Sequence, residues 1–149
     1  MKYVGKDIER LIPQRHPFMM VDEFEDIEAP QSDESLTGAS CATLLYICAD
    51  NYFMLPSQEM SETGLIEHIA QSASALAGHV AIQQGAENPP VGMIAEVKHF
   101  ECQRRPRAHE QLMTTITMGF AFGPMTLCHG ETRIGDDTIC EADLKIFVK

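Results

Sequence analysis

The sequence predicts an α+β fold in which an antiparallel sheet wraps around one long helix. Three observations predict it. Residues 61–82 are the one long stretch with clear helical periodicity. Two strand-like runs precede this stretch and four follow it, divided by turn signals such as Gly123-Pro124 and Gly135-Asp136-Asp137. The helical stretch itself contains no Lys or Arg, so it lacks the charged face of a surface helix and is expected to be buried on most sides.

The elements follow in order. Asp7 to Pro13 reads as a short helix stopped by proline, and Gln14-Arg15-His16-Pro17 as a turn. Phe18 to Ile27 and Ser35 to Ile47 are rich in strand formers, with a turn at Ala29-Pro30-Gln31-Ser32-Asp33 between them. Asp50 to Met60 is irregular. After the helix, Gln83-Gln84-Gly85 and Asn88-Pro89-Pro90 mark its end. The strands Val91–Cys102, Gln111–Phe122, Met125–Ile134 and Ile139–Val148 then form a meander. In the second of these, Leu112, Ile116, Met118, Phe120 and Phe122 are expected on one face and Thr115, Thr117 and Ala121 on the other; in the last, Cys140, Ala142, Leu144, Ile146 and Val148 point inward and Glu141, Asp143 and Lys145 outward.

Within the helix, Leu65, Ile66, Ile69, Ala73, Leu76, Ala77 and Val80 form one apolar stripe. Ala70, Ser72, Ser74, Ala75, Gly78 and Ala81 keep the other faces small, which lets other backbone approach. Ser61 or Thr63 caps the start, and Glu62 suits the positive end of the dipole. Glu67 and Gln71 stand one turn apart on one face near that end. A carboxylate there is costly to desolvate, so Glu67 is a candidate proton-transfer group; the other reading is a buried carboxylate satisfied by backbone or dimer contacts. Gly64 is expected to leave first-turn N–H groups open to a partly negative carbonyl oxygen, so Gly64 and Gln71 are candidate substrate-binding residues.

Composition bounds the rest. With 149 residues, 44% hydrophobic and 22% charged, the chain suits one globular domain over residues 1–149. A net charge of −11 argues against non-specific nucleic-acid binding. No apolar run is long enough to span a membrane and Met1 to Asp7 lacks the apolar core of a signal peptide, so no membrane association and a cytoplasmic location are expected. Asp22 to Glu34 is an acidic block read as a solvated strand edge and turn. Lys98, Arg104, Arg105 and Arg107 form the one basic cluster, either a solvated loop or a docking patch for an acidic partner. Five cysteines without a Cys-x-x-Cys spacing suggest buried free thiols rather than disulfides or zinc; neither metal nor cofactor is expected.

Leu11-Ile12-Pro13-Gln14-Arg15-His16-Pro17-Phe18-Met19-Met20-Val21-Asp22 resembles the opening Leu-Pro-His-Arg-x-Pro-Phe-Leu-Leu-Val-Asp of the 3-hydroxyacyl-acyl-carrier-protein dehydratases, and Glu67-x-x-Ala70-Gln71 resembles the Glu-x-x-Ala-Gln of their central helix. The resemblance extends over nearly the whole chain and implies the hot-dog fold, usually paired into a dimer. It also implies that Glu67 acts with a histidine of a His-Phe-Pro loop. This chain departs from the pattern there: Phe53 to Ser61 contains no His, and the chain in this resembles the divergent dehydratase-like members of aryl-polyene and related pathways, in which the segment before the helix is altered too. Dehydration needs a base and an acid, so His16 and His68 are the candidates for the second group, though His68 points about a quarter-turn away from Glu67. The resemblance thus implies a dehydratase acting on acyl-carrier-protein thioesters. The alternatives are a thioesterase using Glu67 on carrier-bound or coenzyme A thioesters, and a non-catalytic subunit that pairs with an active homologue. A homodimer is expected, or a heterodimer in the last case, with Arg104, Arg105, Arg107 and Lys98 receiving the carrier protein.

Overall fold

A computed structural model describes residues 1–88, 90 and 92–148, the side chain of Val148 excepted. Seven strands form one antiparallel sheet: β1 (Lys2–Val4), β2 (Glu23–Glu28), β3 (Ser40–Tyr46), β4 (Gly92–Cys102), β5 (Gln111–Phe122), β6 (Met125–Ile134) and β7 (Asp137–Val148). A helix, α1 (Glu62–Gln83), lies between β3 and β4 in sequence, and the sheet order is β1-β2-β3-β5-β6-β7-β4. The sheet therefore closes over the helix only when β3 finds β5 and β4 finds β7.

The helix is held as its composition requires. Fourteen of its 22 residues are buried, so it is enclosed on most sides. Leu65, Ile69, Ala73, Leu76 and Val80 meet Cys41 and Leu45 of β3, Leu112 and Ile116 of β5, and Leu144 and Ile146 of β7 in one core. Each large aliphatic side chain buried this way contributes about 1.5–3 kcal/mol. Ile66, placed on the same stripe by periodicity, is only half-buried. The small faces also serve: a Cβ on Gly78 would stand 2.1 Å from the carbonyl oxygen of Leu11, so only glycine admits the N-terminal segment there. That segment, Gly5–Arg10, is a 3-10 helix and ends before the Pro13 expected to stop it.

Several boundaries differ from expectation. Phe18 to Asp22 is not strand; β2 begins at Glu23 because Phe18 and Met20 are bound to the Gln71 side chain of the helix, and only Asp22 reaches β3, its amide bonding the Leu44 carbonyl. β3 begins at Ser40 rather than Ser35. β1, which the sequence did not suggest, pairs with Glu23 to Glu25 of β2, so that part of the acidic block is not a free sheet edge, whereas Asp33 and Glu34 lie in a turn as expected. In β5, Thr114 is buried along with Leu112, Ile116 and Met118, whereas Phe120 and Phe122 are exposed, Phe120 by 69%. The cause is a register shift between Met118 and Ala121, which turns the end of the strand over. In β7, Cys140, Ala142, Leu144 and Ile146 face inward as expected.

The expected edge strand is β4, paired among the described residues with β7 alone and largely exposed, with Met93, Ile94 and Val97 open to solvent. Val91, where that strand was expected to begin, and Pro89 of the expected turn lie outside the described residues. Among the cysteines, Cys41, Cys128 and Cys140 are buried free thiols, but Cys48 is exposed and Cys102 half-buried. Among the described residues, no helix is long and apolar enough to cross a membrane.

Candidate active site

Two motifs about fifty residues apart meet on the first half of α1. Ser61 caps the helix, its Oγ accepting from the Gly64 amide at 3.2 Å, which fixes the start of the helix one turn before Glu67. Gln71 is buried and its amide is fully used. Oε1 accepts from the Met20 amide at 2.6 Å; Nε2 donates to the Phe18 carbonyl at 2.7 Å and to Glu67 Oε1 at 2.8 Å. The Pro17-Phe18-Met19-Met20 stretch is thus clamped to the helix, and Glu67 is aimed by the same side chain.

His68 completes the clamp from inside. Nδ1 lies 2.7 Å from the Met20 carbonyl oxygen, which only accepts, so Nδ1 carries the proton. Nε2 then accepts from the Thr114 hydroxyl at 2.8 Å, and Thr114 accepts from Thr132 at 2.7 Å. The ring has no exposed surface, and burial pushes its pKa down to about 4 against the opposing bond to Met20. His68 is a neutral core residue with both nitrogens engaged. Its proposed place as the second catalytic group is corrected on that geometry.

Glu67 opens into a cleft of about 250 Å³ between the helix and the edge strand. Gln14, Ala70, Gln71 and Ser74 line one side, and Gly92, Met93 and Ile94 of β4 with Ile146 of β7 line the other. Glu67 is the one ionisable side chain among the described residues of this lining. Its Oε1 is occupied by Gln71. The cleft is therefore apolar on the strand side and carries one oriented carboxylate, an arrangement suited to moving a proton at an acyl group laid along β4.

The other expected residues fall elsewhere. His16 is exposed in its turn and does not line the cleft. Gly64 is buried, and its amide is taken by Ser61; a Cβ there would meet Phe53 Cβ at 2.6 Å and Met60 Cγ at 2.8 Å. Gly64 lets the 53–60 loop pack onto the helix and offers no open N–H, contrary to the expectation. His79 hydrogen-bonds Tyr3 at 3.2 Å, His109 pairs with Tyr46, and His99 and His129 bind Asp143. None of these lines the cleft.

The basic cluster is split. Arg104 is bidentate to Glu110 at 3.0 and 2.9 Å, and Arg105 lies 3.9 Å from Glu62 at the helix start. Lys98 stands apart on β4, 3.6 Å from Glu96. Arg107 has no ion pair among the described residues, though its amide donates to Glu110. Sequence reasoning missed Gln14, whose Oε1 is buried with no hydrogen-bond partner among the described residues, because a glutamine in a proline-flanked turn carries no local sign of burial. It also missed the β4 wall, which follows only from which strand borders the helix.

An antiparallel sheet wrapped round one long helix, with an oriented carboxylate facing a cleft beside that helix, defines a protein of the hot-dog class. The chain belongs to the ApeP-like family, whose model, described as ApeP dehydratase, matches residues 6–149. It is 26% identical over 140 residues to the 3-hydroxyacyl-[acyl-carrier-protein] dehydratase FabZ of Verminephrobacter eiseniae, covering 92% of this chain and 88% of that one. Among solved structures it is similar to the dehydratase heterocomplex ApeI:P from Xenorhabdus doucetiae, with a TM-score of 0.78 at 14% identity over 99% of this chain and 92% of that one. It also resembles a hypothetical thioesterase of Streptococcus pneumoniae TIGR4 solved with coenzyme A, with a TM-score of 0.61 at 10% identity over 85% and 88% of the two chains. These last two likenesses concern the fold.

Proposed function

We propose that the chain dehydrates 3-hydroxyacyl thioesters presented on an acyl-carrier protein, with Glu67 as the proton-transferring carboxylate. One observation carries this reading: Glu67 is the sole ionisable group among the described residues of the cleft, and Gln71 orients it at 2.8 Å. In the reaction the α-proton leaves, the C–O bond at the third carbon breaks, and the departing hydroxyl takes up a proton to become water. Glu67 serves one of these proton transfers. No imidazole among the described residues lines the cleft, and its outer wall is the edge strand β4, which pairs with β7 on one side and has no strand on the other among the described residues. The reading therefore places the second group on a subunit that docks along β4, in a homodimer or beside a different homologue. Membership in the ApeP-like family and the ApeI:P heterocomplex among its structural relatives support this.

In the same reading Arg105 and Arg107, at the helix N-terminal end, receive the acidic carrier. Arg104 is committed to Glu110 and Lys98 to Glu96, so they contribute less. A thioesterase is the second reading, favoured by the lone carboxylate without an imidazole. The test offers carrier-bound 3-hydroxyacyl thioester to the wild type and to Glu67→Gln, each alone and with a co-purified partner. Enoyl product that disappears in Glu67→Gln supports dehydration at this site. Free thiol without enoyl product reassigns the chain to hydrolysis. Undiminished enoyl formation in Glu67→Gln moves the chemistry away from the cleft.

A further inference from the structure

We propose that Cys102 and Cys140 form a reversible disulfide that ties the edge strand to its neighbour. The two residues are directly opposed partners of β4 and β7. Their position in the ladder follows from the next pair: the Gln103 amide bonds the Ile139 carbonyl at 2.8 Å, so 103 and 139 are a hydrogen-bonded pair and 102 and 140 a non-hydrogen-bonded one. Such pairs bring Cα atoms to about 4.5 Å with both side chains on the same face. A disulfide accepts Cα separations of about 4.4–6.8 Å, so the pair lies within its reach; closing it also draws the Cβ atoms to about 3.5–4.5 Å, a small approach of the two strand ends. The burial pattern agrees, since Cys140 has no exposed surface and Cys102 is half-buried above it.

In the reduced protein the Cys102 thiol donates to the Arg104 carbonyl at 3.3 Å. Disulfide formation requires it to release that carbonyl and turn toward Cys140, a change of side-chain rotamer. With a peroxide as oxidant the Cys102 sulfur attacks one peroxide oxygen, giving a sulfenic acid and one water. The Cys140 sulfur then displaces the hydroxyl as a second water, forming S–S and breaking S–O. Two thiols are oxidised and one peroxide is reduced. Burial raises both thiols, Cys140 to about 11, so the reaction is slow at neutral pH and quickens in alkali. Thiol reductants reverse it.

The consequence is structural. Cys102 ends β4, just beyond the register shift between Lys98 and Glu101, and the strand begins at the cleft wall with Gly92, Met93 and Ile94. A covalent tie at 102 fixes the frayable end of an edge strand whose other end borders Glu67.

The test treats the native protein with hydrogen peroxide, then denatures and alkylates it and maps peptides without reduction. Exposed Cys48 is the internal sign that the oxidant acted. The expected result is a peptide pair joined through Cys102 and Cys140, absent in C102S and in C102A and lost on treatment with dithiothreitol. Amide exchange in β4 is expected to slow by about tenfold in the oxidised protein. Circular dichroism of both variants establishes that they are folded. When the treatment is run at about pH 9 and prolonged well past complete oxidation of Cys48, a protein with Cys102 and Cys140 both alkylated, or with Cys102 joined to another cysteine, overturns the proposal. Unchanged β4 exchange in the cross-linked protein overturns the restraint.

Discussion

Gln71 holds Met20: its Oε1 accepts the Met20 amide at 2.6 Å while its Nε2 reaches the Phe18 carbonyl and Glu67. One side chain thus joins the N-terminal motif to the candidate catalytic carboxylate. Gln71→Leu keeps the volume but leaves the Met20 amide and the Phe18 carbonyl without their partner. The expected cost is about 2–4 kcal/mol in urea unfolding, because unpaired buried polar groups are penalised individually. A change below about 0.5 kcal/mol would show that the clamp is redundant with the His68 bond.

The pH dependence of stability follows from His68. Its folded pKa, about 4, lies below the unfolded value near 6.5, so the unfolded chain binds the proton more readily. Stability is fully present above about pH 6.5 and is lost as pH falls toward 4, by about 3 kcal/mol in all. His79, lowered chiefly by burial, acts in the same direction. His129, raised by its bond to Asp143, acts in the opposite direction, but it is exposed and screened. Urea midpoints measured from pH 7.5 to 4.5 are expected to fall, and flat midpoints would contradict a neutral buried His68.

Gly78→Ala places a Cβ where the Leu11 carbonyl oxygen now lies, 2.1 Å from the added atom. The neighbour is backbone and cannot turn aside. The expected loss is about 3 kcal/mol, at the upper end for overpacking. A thermal midpoint within a degree of wild type would mean that the 3-10 segment moves freely over the helix.

Arg105→Glu with Arg107→Glu is expected to slow the use of carrier-bound substrate and to flatten its salt dependence, with little effect on a small N-acetylcysteamine thioester. Arg104 is left intact because its bidentate pair with Glu110 also holds the 104–110 turn. Equal loss on both substrates would show that these arginines support the fold. No loss on either would leave them as solvated side chains.

The helix, its burial and the post-helical meander were legible in the sequence because each is a local pattern: Leu65, Ile69, Ala73, Leu76 and Val80 repeat at helical spacing, and Cys140 to Ile146 alternates. Glu67 and Gln71 were legible as a pair for the same reason. What was hidden depends on distant partners. His68 looks like any helical histidine until Met20 and Thr114 close on its two nitrogens. Phe120 alternates in phase with Met118 on paper, yet the register shift reverses it. Gly64 suggested an open helix end, but Phe53 fills that space. β1 is three residues long, too short for any periodicity to declare it.

The position of β4 in the sheet also sets a clock on synthesis. β4 begins at Gly92, yet its one partner in the sheet, β7, begins at Asp137. At about 5–20 residues per second a ribosome needs about 2–9 s to make the residues between them. During that interval the β4 segment has no partner in the sheet, and Met93, Ile94 and Val97, which stay open to solvent even in the folded chain, add an apolar face to the unpaired backbone. An unpaired apolar strand of this kind is open to pairing with any neighbouring strand until β7 is made.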